Sequence, residues 1–207
     1  LNDTCEVLVI GAGFTGLVLW YKLNRAGFDD VRFCERGGDV GGTWYWNRYP
    51  GIACDIESYS YLPLLEEMDY IPSAKFASGL EIFEYCQLIA ERYGFYDHCL
   101  FHTEVTGISW SDADQRWTVR TSRGDAMRAR FVMLANGILT TPRLARIEGM
   151  ESFAGESFHT SRWDYAYTGG TPDGGMTGLS RKRVGIVGTG ATGVQAVPML
   201  AEDAGHV

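Results

Sequence analysis

The sequence predicts an α/β protein with two parallel-sheet nucleotide-binding units, the second truncated, and an antiparallel β-meander inserted into the first. Three observations carry that expectation. Two glycine-rich turns, Gly11-Ala12-Gly13-Phe14-Thr15-Gly16 and Gly188-Thr189-Gly190-Ala191-Thr192-Gly193, each follow a short apolar run and precede residues at helical spacing. Three strand-like runs joined by short polar turns lie between them. Glycine supplies 26 of the 207 residues, well above the usual ~7%, as a chain full of tight turns requires.

Taken in order, residues 7–10 are an apolar run that stops at Gly11, the pattern of a strand buried on both faces. After the first turn, Leu17, Leu19, Trp20 and Leu23 recur at helical spacing up to Gly27, and residues 31–35 form the next strand. Glu35 closes that strand. Strand, turn, helix, strand and terminal acid together are a far more specific signal than the glycines alone. Residues 37–61 crowd Trp44, Tyr45, Trp46 and Tyr49 beside Gly41, Gly42 and Gly51, which reads as a long loop wrapped around a flat ligand.

Ser78 and Glu81 have capping-box spacing, and Ile82, Tyr85, Cys86, Ile89 and Tyr93 then give one apolar helical stripe that ends at Gly94. That helix is expected to serve only the core. Residues 101–110, 116–122 and 127–135 read as the meander, with the nearly all-apolar end of the third run returning to the main sheet. Residues 140–180 lack periodicity and read as a Gly-, Pro- and Asp-rich linker. A second cycle follows: a strand over 184–187, the second turn, and a helix from near Val194. The chain then stops at Val207.

Composition removes several function classes. Eighteen basic against 26 acidic residues leave a net charge of −8, which argues against nucleic acid or an anionic membrane as partner. Cys5, Cys34, Cys54, Cys86 and Cys99 form no CxxC pair, so they are expected as reduced thiols packed like small hydrophobes. His98, His102, His159 and His206 have no metal-ligand spacing, and no metal site is expected. The longest uncharged run, 7–21, is too short to span a membrane, which makes the cytoplasm the expected location. Because residue 1 is leucine, the natural start is expected to lie upstream.

Each glycine has a physical task in such a turn. The first permits the bend, the second lets the backbone approach a pyrophosphate, and the third lets helix and strand pack closely. The helix N-terminus then offers N–H donors and a partial positive charge to the phosphates. Glu35 suits a ribose 2′-hydroxyl and repels a 2′-phosphate, so the first turn fits FAD or NAD better than NADP. A tight turn without a ligand is the competing reading of either segment. Two nucleotide sites in one chain imply electron transfer, most simply from a nicotinamide to a flavin.

One further motif names a family. Phe153, Gly155, His159 and Trp163, followed by Asp164, match the pattern F-x-G-x-x-x-H-x-x-x-W-(P/D). With it, the chain resembles the two-dinucleotide flavin-containing monooxygenases, and Trp163 favours the Baeyer–Villiger branch. The run from Gly41 to Gly51 and the segment around Cys54 and Asp55 are similar to that family's flavin loop. The resemblance implies FAD and NADPH as cofactors, and a small-molecule ketone and O2 as substrates. It also implies insertion of oxygen to give an ester or lactone through a flavin C4a-peroxide.

The same resemblance assigns Asp55 a catalytic place beside the flavin, charge-paired with an arginine beyond Val207; a loop-capping Asx turn is the alternative. Gly11, Gly13, Thr15, Gly16 and Glu35 would hold FAD, with Gly42, Thr43, Trp44, Trp46, Tyr61 and Val105 along it. Gly188, Thr189, Gly190, Ala191, Thr192, Gly193 and Gln195 would hold NADPH. His159 and Trp163 would couple domain movement to nicotinamide use. The implied organisation is an FAD domain over 1–138, a linker over 139–183, and a truncated NADPH domain over 184–207. Such a fragment is expected to be inactive alone. An N- or S-oxygenating enzyme, a flavin–nicotinamide reductase and a non-catalytic nucleotide-binding fragment remain as alternatives.

Overall fold

The computed structural model describes residues 3–139 and 141–207; Thr140, in the expected linker, lies outside them. Its first elements are β1 (Thr4–Ile10), α1 (Phe14–Arg25), β2 (Val31–Cys34) and the single turns α2 (Thr43–Trp46), α3 (Ser58–Tyr61) and α4 (Leu65–Met68). Then come α5 (Gly79–Arg92), β3 (Cys99–Leu100), β4 (Val105–Ser111), β5 (Arg116–Thr121) and β6 (Ala126–Leu134). The turn α6 (Tyr165–Thr168), the helix α7 (Ala191–Asp203) and short 3-10 turns over Phe95–His98, Met150–Ser152, Thr160–Arg162 and Thr177–Leu179 complete the described elements. Two compact units result. One takes the chain up to Tyr45, Leu62–Ile71 and Glu81–Ile138; the other takes Trp46–Tyr61, Pro72–Leu80 and the chain from Leu139 on.

The first unit is a six-stranded sheet in the order β3-β2-β1-β6-β5-β4. β1 pairs parallel with β2 and β6, and β2 with β3, whereas β5 runs antiparallel to both β6 and β4. The centre is apolar on both faces, since Val7, Leu8 and Val9 are no more than 1% exposed. α1 sets Leu17, Trp20 and Tyr21 against the sheet, and the Trp20 indole donates to Tyr93 O at 2.8 Å. From α5, Ile82, Tyr85, Cys86 and Ile89 are fully buried, as their helical spacing predicts. The meander curls back over the other end. Leu8 and Cys34 share one apolar cluster with Val119 and Met127, and Val105 packs against it.

Two readings in this unit are corrected. The run expected over 101–110 begins as a strand only at Val105, because His102 holds φ +51° and turns the chain first. β3 was not anticipated; two residues carry no readable alternation, and its pairing with Phe33 and Cys34 is non-local. The aromatic stretch 37–61, read as loop, contains the single turns α2 and α3.

The second unit has its own core. Met176, Leu179 and Leu200 are buried together, with Trp163, Tyr167, Val184, Ile186 and Met199 packed around them. The stretch expected as a linker therefore supplies half of a packed core. Its glycines make the folding possible: Gly169, Gly170, Gly174 and Gly175 all have positive φ, and a Cβ on Gly170 would sit 2.5 Å from Gly174 O. The strand expected over 184–187 does not form. A strand needs a hydrogen-bonded neighbour, and among the described residues only His206 bridges here, at Arg183. No helix among the described residues is long and apolar enough to cross a membrane.

Two predictions follow from contacts in the first unit. A Cβ on Gly16 would lie 2.2 Å from Gly11 O, whereas one on Gly27 meets nothing within 4 Å and only its φ of +83° opposes it. Gly16→Ala should cost about 3 kcal/mol and Gly27→Ala only about 1, read from melting of the two variants. Burial pushes the Cys34 thiol up to about 12. The unfolded chain releases that proton first, so its stabilisation is intact below ~pH 8.5 and is lost as pH rises toward 12. Denaturant melts between pH 8.5 and 11 should lose less stability per pH unit in Cys34→Ala, by up to about 1.4 kcal/mol.

Candidate nucleotide sites

The first turn is built by close approach. Gly11 holds φ +109°, and a Cβ there would stand 2.5 Å from Ala135 O, where β6 leaves the sheet. Gly13 is the extended N-cap residue of α1, and Gly16 presses on Gly11 O. α1 has no side-chain cap and no acid in its first turn, so nothing in its own sequence competes with an anion there. Thr15 is exposed beside it.

Glu35 is 7% exposed at the end of β2. One carboxylate oxygen accepts from Ala12 N at 2.9 Å and the other from Gly37 N at 2.6 Å. Each oxygen keeps a second acceptor site, enough for a ribose diol. The glycine loop after β2 lies against the turn: Gly41 N donates to Ala12 O at 2.9 Å, and a Cβ on Gly42 would come within 3.0 Å of Gly13 Cα. Thr43 and buried Trp44 follow directly in α2. Val105 opens β4 two residues after Thr103, whose N–H donates to Glu35 O at 2.8 Å, but its side chain joins the apolar cluster.

The second turn repeats the backbone form of the first. Gly188 holds φ +128°, Gly190 is the extended N-cap residue of α7, and a Cβ on Gly193 would meet Gly188 O at 2.7 Å. α7 likewise has no side-chain cap and no acid in its first turn. Thr189, Gly190 and Ala191 are exposed. Gln195 differs from expectation in its direction. Its Nε2 donates to Ala53 O at 3.0 Å, and its Oε1 accepts from Tyr49 Oη at 2.7 Å. Thr192 also hydrogen-bonds Tyr49, whose phenol burial raises above its usual range.

The remaining expected residues lie in this second unit. Asp55 is exposed, directly after Cys54, whose N–H is held by Ala77 O at 2.9 Å. Trp46 lies under the Arg162 guanidinium at 4.6 Å, and Tyr61 ends α3 half-buried. The fingerprint is a set of local locks. The Phe153 ring folds over Gly155, where a Cβ would meet it at 2.6 Å. His159 Nδ1 accepts from Ser161 N at 3.1 Å, which places the neutral ring's proton on Nε2. Trp163 Nε1 donates to Thr168 Oγ1 at 3.1 Å, and Asp164 caps α6 by accepting from Tyr167 N at 3.0 Å.

Residue-by-residue reading missed the contact that the backbones of Gly51 and Ala53 make with α7. Tyr49-Pro50-Gly51 in the sequence is a turn signal, but its partner lies more than 140 residues away.

The cap at His159 makes a prediction. His159→Ala should destabilise the second unit by about 1 kcal/mol, while His159→Asn, which keeps a capping acceptor, should lose less than half of that in thermal melts.

Residues 9–67 match the family described as NAD(P)-binding Rossmann-like domain. The chain is 56% identical to neopentalenolactone D synthase of Streptomyces avermitilis, over 100% of this chain and 35% of that protein. It is 55% identical to a Baeyer–Villiger monooxygenase of Streptomyces coelicolor, over 100% of this chain and 34% of the relative. Among solved structures, the polycyclic ketone monooxygenase of Thermothelomyces thermophila superposes with a TM-score of 0.92 at 44% identity, over 98% of this chain and 34% of that one. OTEMO in complex with FAD and NADP gives a TM-score of 0.85 at 40% identity, over 97% of this chain and 37% of that one. The chain thus spans about a third of the length of the proteins it matches. At more than half identity along its whole length, the chain belongs to the Baeyer–Villiger monooxygenase family.

Proposed function

We propose that this chain contributes the FAD-binding turn and the first half of the nicotinamide site to a ketone monooxygenase. The reading rests on two nucleotide turns of matched geometry in one chain, joined by the complete fingerprint. The bound cofactor pair would supply hydride transfer from NADPH to FAD and activation of O2 for insertion beside a ketone carbonyl.

The chain's own residues prepare that chemistry. The Gly11 turn and the uncapped start of α1 offer backbone donors to the FAD pyrophosphate, and Glu35 takes the ribose hydroxyls. The Gly188 turn and α7 do the same for the nicotinamide nucleotide. Within the second unit, Trp46 and Tyr61 would offer flat aromatic rings to a cofactor. Asp55, exposed on a segment whose backbone is held from both sides, would orient a cationic partner. The substrate is a small-molecule ketone with O2, and no nucleic acid or membrane takes part.

The complete polypeptide, purified with FAD and then desalted, should keep a visible flavin band that bleaches on anaerobic addition of NADPH. Supplied with a ketone and a thioether in air, it should release an ester or lactone. Sulfoxide as sole product would move the protein to the sulfur-oxygenating relatives, and a colourless protein would remove the flavin assignment.

A further inference from the structure

We propose that Gln195 is a positioning residue that ties the segment bearing Asp55 to the first turn of α7, so that a nucleotide seated on the Gly188–Gly193 turn orders that segment. The inference rests on the nucleotide reading above and adds a route between two parts of it.

The contact has the form of a missing strand neighbour. The Gln195 amide answers both backbone groups of one residue: Nε2 donates to Ala53 O at 3.0 Å, and Oε1 accepts from Ala53 N at 3.4 Å. Tyr49 Oη adds a second hydrogen bond to the same Oε1 at 2.7 Å. One side chain thus closes the span from residue 49 to 53. It does so from α7, two residues past Gly193 in the same helix.

The backbones themselves are in contact beside this amide. A Cβ on Gly51 would lie 2.6 Å from Gln195 O and 2.8 Å from Met199 Cγ, so only glycine lets the loop settle on the helix. Gly51 N donates outward to Pro172 O at 2.8 Å, and Met176 N, four residues on, is held by Asp203 Oδ2 at 2.8 Å from the far end of α7. The loop is therefore gripped between α7 and a segment that α7 also anchors. Cys54 N is fixed by Ala77 O, and Asp55 is the first exposed side chain after these constraints. A displacement of α7 on phosphate docking reaches Asp55 through two residues of backbone. Gln195 meanwhile has its amide committed to the loop.

Hydrogen–deuterium exchange on the complete polypeptide, with saturating NADP+ as the probe, tests this. In the unmodified protein NADP+ should slow exchange over residues 188–195 and also over 49–56. In Gln195→Ala the first response should persist, while 49–56 exchanges about tenfold faster without ligand and no longer responds to it. Gln195→Glu keeps the acceptor and loses the donor, and should fall between. Gly51→Ala leaves the amide intact but wedges the loop away, and should abolish the response at 49–56; it also serves if Gln195→Ala does not fold. Protection at 188–195 with none at 49–56 in the unmodified protein would overturn the coupling and leave the nucleotide site standing. An equal response at 49–56 in Gln195→Ala would do the same. Absence of protection at 188–195 would overturn both.

Discussion

In each half of this chain a glycine presses on the carbonyl oxygen of another glycine five residues before it. Gly16 lies on Gly11 O and Gly193 on Gly188 O, and in both cases a methyl group would fall well inside van der Waals distance. That contact sets how near the helix start can come to the residue that ends the preceding run. It thereby fixes where the uncapped N–H groups point. The rest of the first unit is arranged around this geometry. Glu35 bonds Ala12 inside the turn, Gly41 bonds Ala12 from the other side, and β6 passes so close that Gly11 must itself lack a Cβ. A site of this kind is held by backbone rather than by side chains, so it is formed before any ligand arrives.

The features that could be read in advance are those whose cause is local. Gly11, Gly13 and Gly16 are spaced by the bend they make, and the stripe from Ile82 to Ile89 is spaced by the helical period. The meander announced itself through two polar turns. What escaped reading depends on partners far away in the chain. Residues 184–187 have the composition of a strand, yet composition cannot provide the neighbour that would make them one. β3 exists only because β2 has a free edge beside it. Gln195 sits where a nucleotide-facing residue was expected, and its direction is decided by Ala53 and Tyr49.

The Gly- and Pro-rich stretch after Trp163 shows the same limit from the other side. Low periodicity and many glycines signal a linker when only neighbours in sequence are weighed. Here the glycines with positive φ fold the chain back on itself, and Met176 emerges completely buried against Leu200. The fingerprint belongs to this structure. Trp163 stands at the rim of that apolar cluster, and His159 and Asp164 cap the short helical turns on either side of it. Its fixed residues thus have architectural duties that stand whether or not any of them meets a cofactor.

The division of the chain has a consequence for protein engineering. The polypeptide passes between the two units after Tyr45, Tyr61, Ile71, Leu80 and Ile138. The first of these junctions falls inside the single turn α2, and the fourth inside α5. A chimera built with one crossover would therefore combine a unit from one parent with pieces of the same unit from the other. Recombination that respects this architecture must exchange Trp46–Tyr61 and Pro72–Leu80 together with everything from Leu139 onward, as one inherited block.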